Sequence, residues 1–529
     1  MIGHPLKVED LISDVKTGEI GIPEIQRDYV WRKPQIAKLL DSIYRGFPVG
    51  TLLLWDTALA VEMRGLKAGL AAPNKPDFRP KIVLDGQQRL TSLARVFDPD
   101  LPRDERVLFN VFAETFEPHS NRSAADPRWI DTTELMSGSA SELDVLDRLV
   151  EAGVIDIADR PARNQIHDRL KRLHAIRQYK FPIEIVKEDD LEVVTEIFIR
   201  VNSAGTRLRE AELALARLAW KLPGKVVGDF EKLEDACLER GFDIDTRFLM
   251  RALVVVGTGQ SRFRDLKAYW QRPAAGLDRD WKRTERGLRS ALDFVEGNVG
   301  IPGSELLPSH MTLLPLVAVL GNRTHLSGAE GRALRRWFLI ANAFQRYSGS
   351  TETILDQDLA TLGADSSGVE ALHNRALTDL RGKPEVAPDD LARAGASSPL
   401  FFLSFLAATS NDAVDWFTGI KIRRDNFNRD QDIEYHHIFP KKLLTAAGVD
   451  RYERDEMANL AFLGQKANRR ILAKEPAAYL AEIAEHDPGR LEAQCVPMDR
   501  RLWALDRFAD FLTARRALLS AEMNRLLGS

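Results

Sequence analysis

Apolar residues in this chain recur with two periods. Over residues 1–220, short apolar runs alternate with amphipathic stretches. Thr51–Trp55 and Lys81–Asp85 are apolar and short, which predicts buried strands, and Val107–Phe112 and Phe181–Val186 predict two more. Pro34 opens a helical pattern with Ile36, Leu39, Leu40 and Ile43 on one face, and Gly46 and Pro48 close it. Leu90, Leu93, Ala94 and Phe97 predict a second helix after a turn at Gly86. Ala71–Pro80 and His119–Pro127, rich in Pro, Asn, Ser and Ala, read as surface loops. Asp190–Val201 predicts a helix that breaks at Asn202–Thr206 and resumes over Leu208–Trp220. From about 225 to 400 the strand signals fade and Leu/Ala/Arg-rich helical patterns take over. The last part ends in an amphipathic helix with Leu502, Leu505, Phe508 and Leu512 as its apolar face.

These shifts predict an α+β multidomain protein with parts at 1–222, 223–400 and 401–529. The middle part shows packing patterns and no catalytic constellation. Composition narrows the class. Of 529 residues, 44% are hydrophobic and 29% charged, which excludes a mostly disordered chain. The 74 basic and 78 acidic residues leave a net charge of −4, which excludes a uniformly basic nucleic-acid binder but permits a local basic groove. No stretch approaches the roughly 18 consecutive apolar residues of a membrane span. No basic region followed by an apolar run opens the chain, so no secretory leader is expected. Cys237 and Cys495 are the only cysteines and form neither a disulfide framework nor a cysteine-based zinc site. A cytoplasmic setting without membrane partners is the expectation.

Glu434-Tyr-His-His-Ile-Phe-Pro440 carries the strongest chemistry, followed by Asn459-Leu-Ala-Phe-Leu463 and Asn468-Arg-Arg-Ile471. The series His-His-Ile-x-Pro, Asn-Leu, Asn resembles the ββα-metal or HNH nuclease family. That family folds its motif as a strand, a loop, a second strand and a helix around one divalent metal. Here the second strand would be Asn459–Leu463 and the helix would begin near Ala467. The chemistry needs these residue types: phosphodiester hydrolysis requires a base for water and positive charge on the departing oxygen. The resemblance implies His437 as general base, with His436 and Asn468 as metal ligands. Asn459 is expected to fix the loop between the strands through backbone hydrogen bonds. The metal is Mg²⁺, with Mn²⁺ an open rival. Adjacent strand residues point to opposite faces, so the strand must bend or end near the histidines if both serve one site, and Pro440 offers a reason. Residues 421–470 carry 11 Lys/Arg against 8 Asp/Glu, and Lys421, Arg423, Arg424, Lys441, Lys442, Arg469 and Arg470 are candidates for a phosphate-tracking groove.

Three further polar motifs interrupt the N-terminal pattern: Ile22–Trp31 with Gln26 and Arg27, Asp85-Gly-Gln-Gln-Arg89, and Phe198–Leu208 with Arg200 and Asn202. In the second, an acid ends a strand, glycine allows a tight turn and a helix starts, the arrangement of an anion site at a helix N-terminus. Arg27 and Arg89 are candidates for phosphate contacts, and Asp85 for holding a metal or orienting water. No P-loop sequence is present. Together the three motifs resemble the N-terminal domain of GmrS/GmrD-type and SspE-type restriction proteins, which looks like the ParB/sulfiredoxin fold, over roughly residues 8–220. The resemblance implies a nucleoside triphosphate site, for GTP or ATP, at Gln26, Arg27, Asp85, Gly86, Gln87, Gln88, Arg89, Arg200 and Asn202.

The combined expectation is a ParB/sulfiredoxin-like α/β N-terminal domain, a helical middle, and a C-terminal helical domain with an HNH core. Such a protein would be a modification-dependent restriction endonuclease that hydrolyses NTP and nicks or cleaves double-stranded phage DNA, with homo-oligomers possible. Two alternatives stay open: a nucleotide-switched ParB-like DNA-binding protein with a degenerate nuclease domain, and a toxin nuclease indifferent to modification.

Overall fold

Five strands of the N-terminal half pair into one sheet, and most lie where the apolar runs predict them. The computed structural model describes residues 3–23, 31–57, 63–64, 80–189, 193–194, 197–198, 200–201, 214–215, 217–218, 221–222, 225–263, 266–323, 325–363, 368–380, 383–423, 433–464, 470–471 and 474–528. The architecture is α+β, in two units, Met1–Asp229 and Phe230–Ser529. The second unit therefore contains both the helical stretch and the His-His segment.

The strands of the first unit are β1 (Leu6–Lys7), β2 (Ile20–Pro23), β3 (Leu52–Asp56), β4 (Met63–Arg64), β5 (Lys81–Asp85), β6 (Val107–Asn110), β7 (Thr115–Pro118), β8 (Trp129–Asp131), β9 (Lys180–Phe181) and β10 (Ile183–Lys187). The main sheet has the order β10-β3-β5-β2-β4. β10 runs parallel to β3 and β2 parallel to β5, whereas β3 and β5 are antiparallel. Central β3 is buried from Leu52 to Trp55, which explains its unbroken apolar run. Helices Val8–Thr17, Lys33–Tyr44 and Gln87–Val96 contribute Leu11, Leu40 and Leu93 to one core with Leu52 and Val83. A second sheet, β7-β6-β8, places Phe109 5.1 Å from the Tyr44 ring and 4.8 Å from Phe116.

Three expected elements differ in extent. The run Phe181–Val186 is two strands broken at Pro182, whose carbonyl accepts from Leu52 N–H at 3.0 Å. The strand expected to reach Phe112 stops at Asn110, because the Asn110 side chain accepts from the N–H groups of Phe112 and Ala113 and turns the chain. Within 119–127, a Ser120 cap starts a short helix, Asn121–Ala124.

Among its described residues the second unit is a helical assembly with one hairpin, β11 (Ile433–His437) and β12 (Leu460–Gly464). Helices Ala274–Phe294 and Leu313–Asn322 approach closely where both carry glycine. A Cβ on Gly287 would lie 2.5 Å from the Val317 carbonyl oxygen, and one on Gly321 would lie 2.7 Å from that of Arg283. The final helix is Phe508–Gly528, and it buries Phe508, Phe511, Leu512, Leu519 and Met523. Leu502 and Leu505, expected on that face, stand before it in two 3-10 turns, the first of which ends at buried Trp503.

The glycine contact makes a prediction. Gly287→Ala forces two helix backbones apart and lowers stability by about 1–3 kcal/mol. Gly331→Ala, in a helix with nothing near a new Cβ, raises it by roughly 1 kcal/mol through helix propensity. Calorimetric scans of the two variants should move the melting transition in opposite directions.

Candidate active site

In the first unit the sheet itself gathers two of the polar motifs. β2 and β5 are parallel neighbours, so their last residues, Pro23 and Asp85, stand at the same sheet end. Trp31, at the exit of the first motif, donates its N–H to Gln88 Oε1 at 3.3 Å. Gly86 has φ 94°, and a Cβ there would sit 2.2 Å from Leu52 Cδ2, so only glycine fits this turn. Gln87 and Gln88 are buried in the first turn of the helix.

Arg89, a candidate phosphate contact, is committed to the fold. It donates to the carbonyls of Val49 at 2.6 Å and Thr51 at 3.0 Å, and pairs with Asp85 at 3.0 Å. Gly50 (φ 85°) lies against it, where a Cβ would be 2.4 Å from Arg89 Nη1. Asp85 keeps about a third of its side chain exposed at the strand end. Arg200 is an exposed residue of the third motif. Gln26, Arg27 and Asn202 lie outside the described residues.

In the second unit, β11 and β12 pair antiparallel with His436 opposite Ala461 and His437 opposite Leu460. The ladder runs through both histidines, and the chain bends afterwards at 438–439 before the helix Lys441–Ala446. The two rings accordingly meet different neighbours. His437 Nε2 lies 3.0 Å from Asp455 Oδ1, while His436 Nε2 lies 3.8 Å from Glu434 Oε2. At 3.8 Å the latter contact is too long for a hydrogen bond. The buried His436 Nε2 has no hydrogen-bond partner among the described residues. Burial, reinforced by the charge of His437, pushes His436 down to about 4, so its ring is neutral at neutral pH. Burial also lowers His437, with Asp455 opposing the shift through its hydrogen bond and charge.

Asp455 was not singled out by the pattern, yet it organises this corner. Arg454 grips it with two hydrogen bonds, Nε to Oδ1 at 2.9 Å and Nη2 to Oδ2 at 2.8 Å. The Arg454 guanidinium holds the Asp455 carboxyl well below the usual carboxylate range, with help from His437. The only signal in the chain was an adjacent Arg-Asp pair four residues before Asn459, and such pairs are ordinary on solvated surfaces.

Asn459 is fully buried and ends a 3-10 turn, so β12 begins at Leu460, one residue later than expected. Its Oδ1 accepts from Phe439 N–H at 2.8 Å, and its Nδ2 donates to the carbonyls of Phe439 at 3.2 Å and Arg454 at 2.9 Å. The amide thus closes the loop that carries Asp455. Below it, Gln494 brackets Phe462 of β12 with bonds to its N–H at 2.8 Å and its carbonyl at 2.9 Å. Arg515 of the final helix donates to the carbonyls of Ala458, Gln494 and Cys495 at 2.9–3.3 Å. Arg516 beside it forks onto buried Glu456.

No cluster of three or more His, Cys, Asp or Glu side chains among the described residues is arranged to hold a metal. A cation here would therefore rest on His436 and on groups outside that set, and Asn468 lies outside the described residues. The bare, neutral Nε2 of His436 fits a ligand role. Of the basic cluster, Lys441 and Lys442 are exposed, with the Lys441 charge felt by His437, Lys421 pairs with Asp412 at 2.8 Å, and Arg470 stacks 5.7 Å over Phe417. Arg424 and Arg469 lie outside the described residues. No helix among the described residues is long and apolar enough to cross a membrane.

Comparison with known proteins places a name on the first unit alone. Residues 8–219 match the family described as GmrSD restriction endonuclease, N-terminal domain. An uncharacterized protein of Methanocaldococcus jannaschii is 22% identical over 530 residues, covering 90% of this chain and 86% of its own.

The buried amide predicts a measurable cost. Asn459→Ala leaves the Phe439 N–H and two carbonyls without partners and destabilises the second unit by about 2–4 kcal/mol. Asn459→Asp retains the acceptor but loses both donated bonds, and is destabilising too. Denaturant titration of both variants against the wild type checks this.

Proposed function

We propose that this chain is a metal-dependent DNA endonuclease of restriction type, with an HNH site on the β11–β12 hairpin and a nucleoside triphosphate site in the first unit. The observation that carries the reading is the His437–Asp455 pair at the end of β11, beside the unpartnered Nε2 of His436. Ionised Asp455 accepts from His437 Nε2–H, which leaves the Nδ1 lone pair to take a proton from an attacking water. His436 and Asn468 are the protein ligands of the cation. Mg²⁺ or Mn²⁺, when bound, supplies the positive charge that stabilises the developing oxyanion and the departing oxygen. Exposed Lys441 and Lys442 attract the DNA backbone to this edge.

In the first unit, Gln26, Arg27, Asp85, Gln87, Gln88, Arg200 and Asn202 bind and help hydrolyse GTP or ATP. Gly86 and Arg89 shape the turn that carries Asp85 and the two buried glutamines. The restriction-endonuclease name of the family matching residues 8–219 supports DNA as the target; in this proposal the target is double-stranded phage DNA and the trigger a DNA modification.

Cleavage of plasmid and phage DNA with Mg²⁺ or Mn²⁺ tests the reading. His437→Ala should lose about 10²–10⁴-fold in rate. Asp455→Asn should lose about 10–100-fold, as expected for a group that orients another. Wild-type cleavage by His437→Ala overturns the nuclease assignment. Plaque counts on phages with plain and modified DNA separate a modification-dependent enzyme from an indiscriminate toxin. NTP hydrolysis by Asp85→Ala tests the first unit separately.

A further inference from the structure

The first unit holds a cavity of 330 Å³ whose lining includes none of the groups assigned above. Its volume falls within the range of small-molecule sites. Strand pairing explains where it lies. Leu108 of β6 stands opposite Asp131 of β8, and Asn110 stands opposite Trp129, so Leu108, Trp129 and Asp131 share one face of that sheet. Phe109, which packs on Tyr44, belongs to the other face. Val145, Arg148 and Leu149, spaced three and four residues apart on the helix Glu142–Glu151, line the same cavity.

The lining combines three kinds of group. Leu108, Val145 and Leu149 are buried and form an apolar wall, joined by the half-buried Trp129 ring, which has no aromatic or cationic partner among the described residues. Two ion pairs follow, Arg106 with Asp131 at 2.8 Å and Arg148 with Glu134 at 2.6 Å. The first is committed to the fold. Arg106 also donates to the carbonyls of Pro99 and Leu101, both at 2.8 Å, and Asp131 accepts from Thr133 N–H at 2.9 Å. The second pair is partly exposed, and Glu134 Oε1 accepts no hydrogen bond among the described residues. Arg103 and His119 complete the lining, and neither side chain has a hydrogen bond or ion pair among the described residues.

This combination selects a ligand class. A flat ring stacks on Trp129 and the apolar wall. Glu134 and Arg148 set an acceptor beside donors, which complements the edge of a nucleobase, where donors and acceptors also stand side by side. The lining has three arginines and two carboxylates, so with both pairs formed the charge of Arg103 is left for an anion. His119 adds ring nitrogens for the same group. A flat ring with such an edge and one attached anionic group is a nucleotide.

We infer that this cavity is a site for a single nucleotide, with the base on Trp129 and the phosphate on Arg103. The inference does not rest on the nuclease reading. The chemistry is the same for a free nucleotide and for one residue extruded from a DNA strand, and extrusion costs least where the base is unpaired.

Binding to the full-length protein tests this. The four deoxynucleoside 5′-monophosphates are titrated by calorimetry and by tryptophan fluorescence, each beside its nucleoside. At least one monophosphate should bind saturably, quench the emission, and bind about tenfold or more tighter than its nucleoside. Arg103 is exposed, so Arg103→Glu keeps the fold, and it should remove that preference. Trp129→Ala should weaken binding about tenfold or more. Trp129→Phe, which keeps a ring, should hold affinity within about threefold and lose the quench. Absence of binding by all four, nucleosides binding as tightly as their monophosphates, or insensitivity to both Arg103→Glu and Trp129→Ala overturns the site. Displacement of the bound monophosphate by short DNA duplexes separates the two sources. Displacement by a duplex with one unpaired nucleotide, at about tenfold lower concentration than by a fully paired one, assigns the site to a strand residue. Displacement by neither duplex assigns it to a free nucleotide.

Discussion

A buried cation ties the final helix to the two segments that flank β12. Arg515 is completely buried, and its hydrogen-bond partners among the described residues are three backbone carbonyls, not a carboxylate. Removing a charge from water costs several kcal/mol unless polar groups replace the solvent. Three carbonyl dipoles do so here, and burial lowers Arg515 only to about 10, so it stays protonated at neutral pH. Those carbonyls belong to Ala458, directly before Asn459, and to Gln494 and Cys495, the turn that brackets Phe462. The final helix therefore supplies the point from which the Asp455 loop, the Asn459 amide and β12 are all positioned.

Much of the scaffold was legible in the sequence. Lys81–Asp85 is a strand with the bounds its apolar run gives, and Pro34 sits in the first turn of the helix it marks. Such features are local: a buried run, a turn glycine, a proline that tolerates only a first turn. The differences arose where a side chain far along the chain, or a single backbone donor, decided the outcome. Pro182 splits a strand that apolar content alone would continue. Leu502 and Leu505 have the spacing of the final helix, yet the chain there forms two 3-10 turns instead.

The site was legible to a lesser degree, for the same reason. The two histidines and Asn459 are visible because a motif spaces them. Asp455 is set by three-dimensional closure of the loop between β11 and β12, and an Arg-Asp pair gives no hint of it. A second reason is equally physical. An arginine after a strand-ending acid looks like a phosphate contact, and Arg89 here gives three of its five N–H donors to Val49, Thr51 and Asp85. How much donor capacity the fold takes up cannot be read from spacing.

That last arrangement has an effect on the sheet. Arg89 binds residues just before β3 and the last residue of β5, two strands that run antiparallel. It therefore fastens the pair at its open end, remote from the stretch that joins them. The Leu54–Val83 register thus has a fastening that does not pass through that crossing, so a longer crossing that still lays β4 against β2 leaves it in place.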